Sequence, residues 1–164
     1  MTWGIVFIVI AVAMVVGPIM MFKPNSYTRR LEALRAEAAS SGIKLRTVSY
    51  ESRNQKQSVV VYNRLCETPF DAAILQRHDV AHDVHFYKQW DWQEQKVLGL
   101  SDTQQQWLKT FVEQLPATVV GVEFSPHSVG LWWQEKKLEQ WGITDLKDAL
   151  EHLHHFASPS GSAE

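Results

Sequence analysis

The chain has 164 residues, a net charge of −2 at neutral pH, 45% hydrophobic residues and one cysteine. A charge this close to zero, without a block of basic residues, argues against bulk nucleic-acid binding. A single cysteine excludes an internal disulfide and suits a reducing compartment. The length is enough for an apolar N-terminal stretch followed by one domain with its own hydrophobic core.

Residues 3–22 form that apolar stretch, which carries no charged, amide or hydroxyl side chain. As a helix rising about 1.5 Å per residue they would reach roughly 30 Å, the thickness of the hydrocarbon core of a bilayer. A cleaved signal peptide would begin with basic residues, and none precedes this stretch. Ala11 and Ala13 have the A-x-A form of a cleavage site, but the apolar run continues beyond them. We therefore expect residues 1–24 to be an uncleaved transmembrane anchor.

Basic residues follow the expected span closely, at Lys23, Arg29, Arg30 and Arg35. By the positive-inside rule, this asymmetry predicts a single-pass inner-membrane protein with its N-terminus outside and the remaining chain in the cytoplasm. Lys23, Arg29 and Arg30 are the candidates for contact with anionic lipid headgroups, worth about 1 kcal/mol for each charge near such a surface. The competing interpretation is that this helix packs only against its own domain.

The first half of the domain is predicted as a helix followed by two strands. Residues 27–41 place Tyr27, Leu31, Leu34 and Ala38 on one apolar stripe, and Gly42 is a left-handed stop. Residues 43–51 and 58–65 alternate like half-buried strands joined by a polar hairpin loop. Residues 72–77 fit either a short strand or a helical turn.

The second half of the domain begins with one further strand and then repeats the order helix, strand, strand. Residues 86–92 interleave aromatic and polar side chains, which predicts an exposed or edge strand. Ser101 and Gln104 have the spacing of a capping box, and the helix they open buries a face from Trp107 to Leu115. Residues 117–124 and 129–134 are predicted strands. Thr144 is predicted to cap a last helix that turns Leu146, Leu150 and Leu153 inward.

The order helix, strand, strand occurs twice, which predicts an α+β fold with a mainly antiparallel sheet and about three helices, and favours two such units. The expected domain covers residues 25–156. Residues 157–164 are small and polar, and we expect them to be a disordered tail.

Three histidines suggest a metal site. His78, His82 and His85 are spaced four and three residues apart, so on a helix they would share one face. Imidazole nitrogens bind zinc and similar metals, which makes a metal-dependent hydrolase or metal-binding protein the competing function. We expect the C-terminal histidines His152, His154 and His155 to face solvent, where they complement the helix dipole.

Tryptophans suggest a protein-binding surface instead. Trp90, Trp92, Trp132 and Trp133 lie in predicted strands, and adjacent residues of a strand point to opposite faces, so one of the last pair is expected to reach the surface. The competing interpretation is that these rings close the core. The sequence contains no nucleophile elbow, phosphate loop or dinucleotide fingerprint, so we predict no enzymatic activity and no cofactor.

The first quarter of the chain resembles the YajC family of bacterial inner-membrane proteins, accessory subunits of the Sec preprotein translocase. The similarity consists of the apolar span, Lys23 and Pro24, and the arginine-containing segment at residues 27–46 that leads into a strand. The resemblance implies a membrane-anchored accessory role and identifies no functional residues.

Together these observations predict a single-pass accessory or scaffold protein whose cytoplasmic α+β domain binds another protein, and they favour a subunit of a larger membrane complex. The expected partners are the lipid bilayer and a membrane protein or complex, with no nucleic acid. A domain that binds lipid headgroups or cell-envelope precursors is the third hypothesis.

Overall fold

A computed structural model of the chain describes residues 3–7, 10, 12, 14, 25–52, 55–67, 69, 71–79, 86–95 and 98–157. The predicted span lies largely outside these residues, and its described members at 3–7, 10, 12 and 14 are helical. No helix formed by the described residues is long and apolar enough to cross a membrane. The chain divides into two compact units, Met1–Ala33 and Leu34–Glu164.

The fold after residue 24 is α+β. In chain order its elements are α1 (Ser26–Ser40), β1 (Lys44–Ser52), β2 (Gln55–Leu65), β3 (Ala73–Arg77), β4 (Trp90–Trp92), a 3₁₀ turn (Gln93–Gln95), α2 (Asp102–Gln114), β5 (Val119–Ser125), β6 (Ser128–Trp133) and α3 (Ile143–Ala157). Most predicted elements are confirmed within one to three residues at each end.

Local chemistry explains several of the element boundaries. Gly42, just after α1, has a φ of 79°, the left-handed conformation that glycine adopts without a Cβ penalty. Ser101 and Gln104 form the predicted capping box at the start of α2, with each side chain bonded to the other residue's backbone N–H. α3 begins at Ile143, so Thr144 is not its cap. Asp145 instead accepts a hydrogen bond from the Gly142 backbone N–H at 2.8 Å.

All six strands join one antiparallel sheet in the order β1-β2-β6-β5-β3-β4. The hairpins β1–β2 and β5–β6 each follow a helix and meet where β2 pairs with β6. The predicted helix–strand–strand units therefore supply the four contiguous strands at one side, and β3 and β4 extend the β5 edge.

One face of the sheet, here called the helix face, carries the main core. Tyr62, Leu131, Val122 and Leu75 lie in register across four strands of this face and are 0% exposed. The apolar stripes of the three helices pack in the same cluster. Their buried members are Leu34, Ala38, Leu108, Phe111, Val112, Leu146, Leu150, Leu153 and Ala157.

The opposite face, here called the concave face, is closed by the curl of the sheet. The Gln76 side-chain amide donates to the Glu51 carbonyl at 3.5 Å, and the Ser52 hydroxyl lies 3.1 Å from Asp79 Oδ2. These contacts join β1 to β3, which a flat sheet would hold about 19 Å apart over four strand spacings. A second apolar cluster fills the concavity with strand residues Tyr50, Val59, Val61, Val120 and Trp132.

The segment before β4 differs from the prediction. Only residues 90–92 are strand, because Lys88 adopts a φ of 52° in a turn where Tyr87 and Trp90 exchange backbone hydrogen bonds. A left-handed residue interrupts an extended run. Trp90 and Trp92 still share a face, but Phe86 and Lys88 do not continue it as a strand.

Candidate functional site

An aromatic groove runs between α2 and α3. Its larger part has a volume of about 550 Å³ and a floor formed by Trp107, Phe111 and Phe156. The Trp107 ring stacks on both phenylalanines, with ring centroids 5.0 Å and 4.4 Å apart and planes 10° from parallel. Phe111, Gln114 and His152 also line a second cavity of about 180 Å³. We call the two cavities together the α2–α3 groove.

The order of large and small side chains along α2 explains why a groove is left between α2 and α3. On α2, Thr103, Trp107, Thr110 and Gln114 recur at helical intervals on the side that faces α3. Leu108 and Val112 point to the sheet, where both are 0% exposed. On the side of α2 that faces the groove, Thr103 and Thr110 lie on either side of the large Trp107 ring. Because the threonine side chains are small, they leave space between the two helices.

The charge along the groove is asymmetric. The second cavity is lined by Asp145 and Asp148 together with Trp141 and Ala149. No Lys or Arg is among the described residues that line either cavity. One end of the groove is therefore aromatic and is lined by no carboxylate of the residues that the structure describes, and the other end carries two carboxylates.

A buried carboxylate fixes the end of β6 beneath α1. Glu135 is 6% exposed and accepts hydrogen bonds from Arg35 at 2.8 and 2.5 Å and from the Tyr62 hydroxyl at 2.5 Å. Burial raises the pKa of Tyr62, and the neighbouring Glu135 carboxylate raises it further. The hydrogen bond to Glu135 also raises the pKa of Arg35, despite partial burial. The side chains are paired with one another, so this cluster is a structural support.

A second carboxylate lies on the concave face. Glu123 is 6% exposed and accepts from Arg46 at 2.5 Å and from the Trp132 indole N–H at 2.8 Å. Trp132 lies over Gly121, where an added Cβ would be 3.0 Å from the indole. Asn63 is 9% exposed on the same face, and its Oδ1 has no hydrogen-bond partner among the described atoms.

The prediction that tryptophans form an exposed binding surface is wrong. Trp90, Trp92, Trp132 and Trp133 are 3%, 8%, 4% and 0% exposed. The last pair does point to opposite faces, as expected, but the helices cover one face and the curl of the sheet closes the other. The competing interpretation of a closed core is the one observed.

The predicted histidine site cannot be assembled from the described residues. His78 follows β3 as an exposed residue whose backbone N–H donates to the Gln89 carbonyl at 2.7 Å, whereas His82 and His85 lie outside the described residues. Of the proposed membrane-surface residues, Arg29 and Arg30 are exposed on α1, and Lys23 lies outside the described residues.

The sequence interpretation missed the groove because it assigned Trp107 and Phe111 together to a buried face. The available signal was the polar set Thr103, Thr110 and Gln114 at the same helical intervals, which would not line a core. Trp107 packs against the core cluster and is only partly buried.

The chain matches no protein-family model, curated protein or solved structure at a significant level. The resemblance to the YajC family stays a prediction, and function is argued from the residues and the geometry above.

Proposed function

We propose that the chain is a non-enzymatic, single-pass membrane accessory protein whose α+β domain binds a protein partner through the α2–α3 groove. The groove with its stacked aromatic floor is the observation that carries the proposal. Amphipathic helices of partner proteins commonly bind by laying an apolar stripe into such a hydrophobic groove.

The exposed apolar side chains of the N-terminal unit support the anchor. Seven large side chains in its described helical residues are between 48% and 76% exposed: Trp3, Ile5, Val6, Phe7, Ile10, Val12 and Met14. Because apolar surface on every side of a helix is costly in water, these residues favour a lipid environment. The proposed orientation keeps the domain in the cytoplasm, on the side of Arg29 and Arg30.

The occupant we propose is an apolar helical segment of a membrane-protein partner that carries a basic residue at one end. Aromatic side chains in the floor favour an apolar stripe, since they bury large area with few rotatable bonds. Asp145 and Asp148 favour a Lys or Arg at their end of the groove and specify its direction.

Site-specific photocrosslinking in native membranes tests the docking site. A photoreactive benzoylphenylalanine replaces Thr110, an exposed residue that lines the groove. Lys136 is the matched control because it is exposed and lines neither cavity. We expect Thr110 to give one adduct with a membrane protein, at an apolar helical segment with a basic residue, and Lys136 to give none. An adduct only with a second copy of this chain, or no adduct, would refute the proposed occupant.

Charge reversal tests the predicted direction. Asp148→Lys should reduce the yield of the adduct several-fold, whereas Asp71→Lys, an equal change at an exposed site away from the groove, should leave it unchanged. Equal losses for both variants would contradict the role of the carboxylates.

Thiol labelling tests the topology. With Lys136→Cys as the exposed thiol and Cys66 buried, an impermeant reagent should label intact spheroplasts only after the membrane is permeabilised. Labelling before permeabilisation would place the domain on the other side and overturn the proposed orientation.

A further inference from the structure

The last turns of α3 bring together three side chains with metal-ligating atoms. One ligand atom from each of Glu151, His154 and His155 lies within 4.8 Å of the other two. It is the one such group found among the described residues. Two imidazoles and one carboxylate are a common ligand set for zinc in a site that keeps a fourth position open.

Helical spacing produces this juxtaposition. Residues three and four positions apart share a face, so Glu151 reaches both histidines, and the His155 Nε2 atom lies 3.2 Å from Glu151 Oε1. Ligand atoms about 2.0–2.2 Å from a tetrahedral zinc lie about 3.3–3.6 Å apart, so the group must contract slightly to bind. His155 is 68% exposed and is free to make this adjustment.

His154 supplies an independent observation. Its Nδ1 atom is buried and has no hydrogen-bond partner among the described atoms. Buried polar atoms without a partner are rare in folded proteins, and a bound ion is one of the few groups that satisfies such an atom.

Arg64 on β2 orients the carboxylate. It donates a hydrogen bond to Glu151 Oε2, and the other oxygen, Oε1, faces His155. Ligating carboxylates are usually held by such a partner, which fixes the oxygen that faces the metal. The positive charge of Arg64 also repels a cation, so we expect moderate rather than tight binding.

We propose that Glu151, His154 and His155 bind one divalent transition metal, with Zn²⁺ the best match to the ligand set. The fourth position is open to water or to a side chain of another protein. The proposal does not depend on the identity of the partner, although His155 also lines the α2–α3 groove.

Titration of the full-length chain, purified in mild detergent without a polyhistidine tag, tests the proposal. We expect saturable binding of one Zn²⁺ per chain by calorimetry, and visible bands of tetrahedral Co²⁺ that Zn²⁺ abolishes. His154→Ala and His155→Ala should each weaken binding at least tenfold. Both variants should lose the rise in melting temperature that Zn²⁺ gives the unsubstituted chain.

Two controls separate this site from the other histidines. His152→Ala changes the same helix outside the ligand group, and the double variant His82→Ala/His85→Ala removes two of the three histidines of the site predicted from the sequence. Both controls should bind Zn²⁺ as the unsubstituted chain does. Absence of saturable binding, or its loss in the double variant with retention in His155→Ala, would overturn the proposal.

Discussion

Gly130 offers a quantitative test of the packing on the concave face. It pairs with Asn63 across β2 and β6, and a Cβ at Gly130 would lie 2.1 Å from Asn63 Oδ1 and 3.2 Å from a Val61 methyl. Asn63 is 9% exposed, so its amide has little room to turn away. We therefore expect Gly130→Ala to be strongly coupled to the side chain at position 63.

The magnitude follows from two opposing terms. Overpacking a well-filled core costs about 1–3 kcal/mol. Loss of glycine's freedom in the unfolded chain returns about 0.4–1 kcal/mol. A Cβ 2.1 Å from Asn63 Oδ1 lies far inside van der Waals contact, so the upper half of the overpacking range applies. The net expectation for Gly130→Ala is a loss of about 1–2.5 kcal/mol in the free energy of unfolding. Gly99→Ala is the matched control because an added Cβ would have no atom within 4 Å.

A double-mutant cycle isolates the clash. In an Asn63→Ala background the amide oxygen is gone, so Gly130→Ala should cost less than about 0.5 kcal/mol, leaving a coupling energy of at least about 0.5 kcal/mol. The assay is urea unfolding of the full-length chain in mild detergent, followed by tryptophan fluorescence. An equal cost in both backgrounds, or a stabilising Gly130→Ala, would refute this account of the concave face.

Three further expectations concern a helix cap, a buried tyrosine and a partly buried ion pair. Ser101→Ala removes the α2 capping box and should cost about 1 kcal/mol, measured by urea unfolding. Burial raises the pKa of Tyr62 above its usual value of 10, so above about pH 10 the unfolded chain loses this proton while the folded chain keeps it. The free energy of unfolding should therefore fall as the pH rises above 10, by up to about 1.4 kcal/mol per pH unit. Tyr62→Phe should remove that part of the pH dependence, and an unchanged profile would contradict it. Arg46→Met leaves the buried Glu123 without its cation and should cost about 2 kcal/mol, less than a fully buried pair because Arg46 is 49% exposed. Lys88→Met, at a pair exposed on both sides, should have little effect, and similar losses for both variants would argue against burial as the cause.

Periodicity and caps predicted most of the elements because those signals are local. The stripe from Leu34 to Ala38, the Gly42 stop and the Ser101 cap each depend on residues within one or two helical turns. Both hairpins were predicted for the same reason, since their strands are adjacent in sequence.

The order and curl of the sheet could not be predicted in this way. Pairing of β2 with β6, and the approach of Gln76 to Glu51, depend on contacts between distant segments. Without the curl, Trp132 would appear half exposed, which is why the sequence suggested a tryptophan surface. The groove was missed for a related reason: whether Trp107 faces a core or a cleft depends on where α3 lies.

The position of β2 between β1 and β6 has a consequence for how the chain acquires its structure. Its buried run at residues 59–63 needs β6 as a neighbour, and β6 is synthesised about seventy residues later. Until then the hairpin β1–β2 exposes an apolar edge rich in valine, the kind of segment that pairs with other chains. Because closing such distant strands is slow, formation of the β2–β6 pair is expected to limit the folding rate and to be the stage most exposed to aggregation during synthesis.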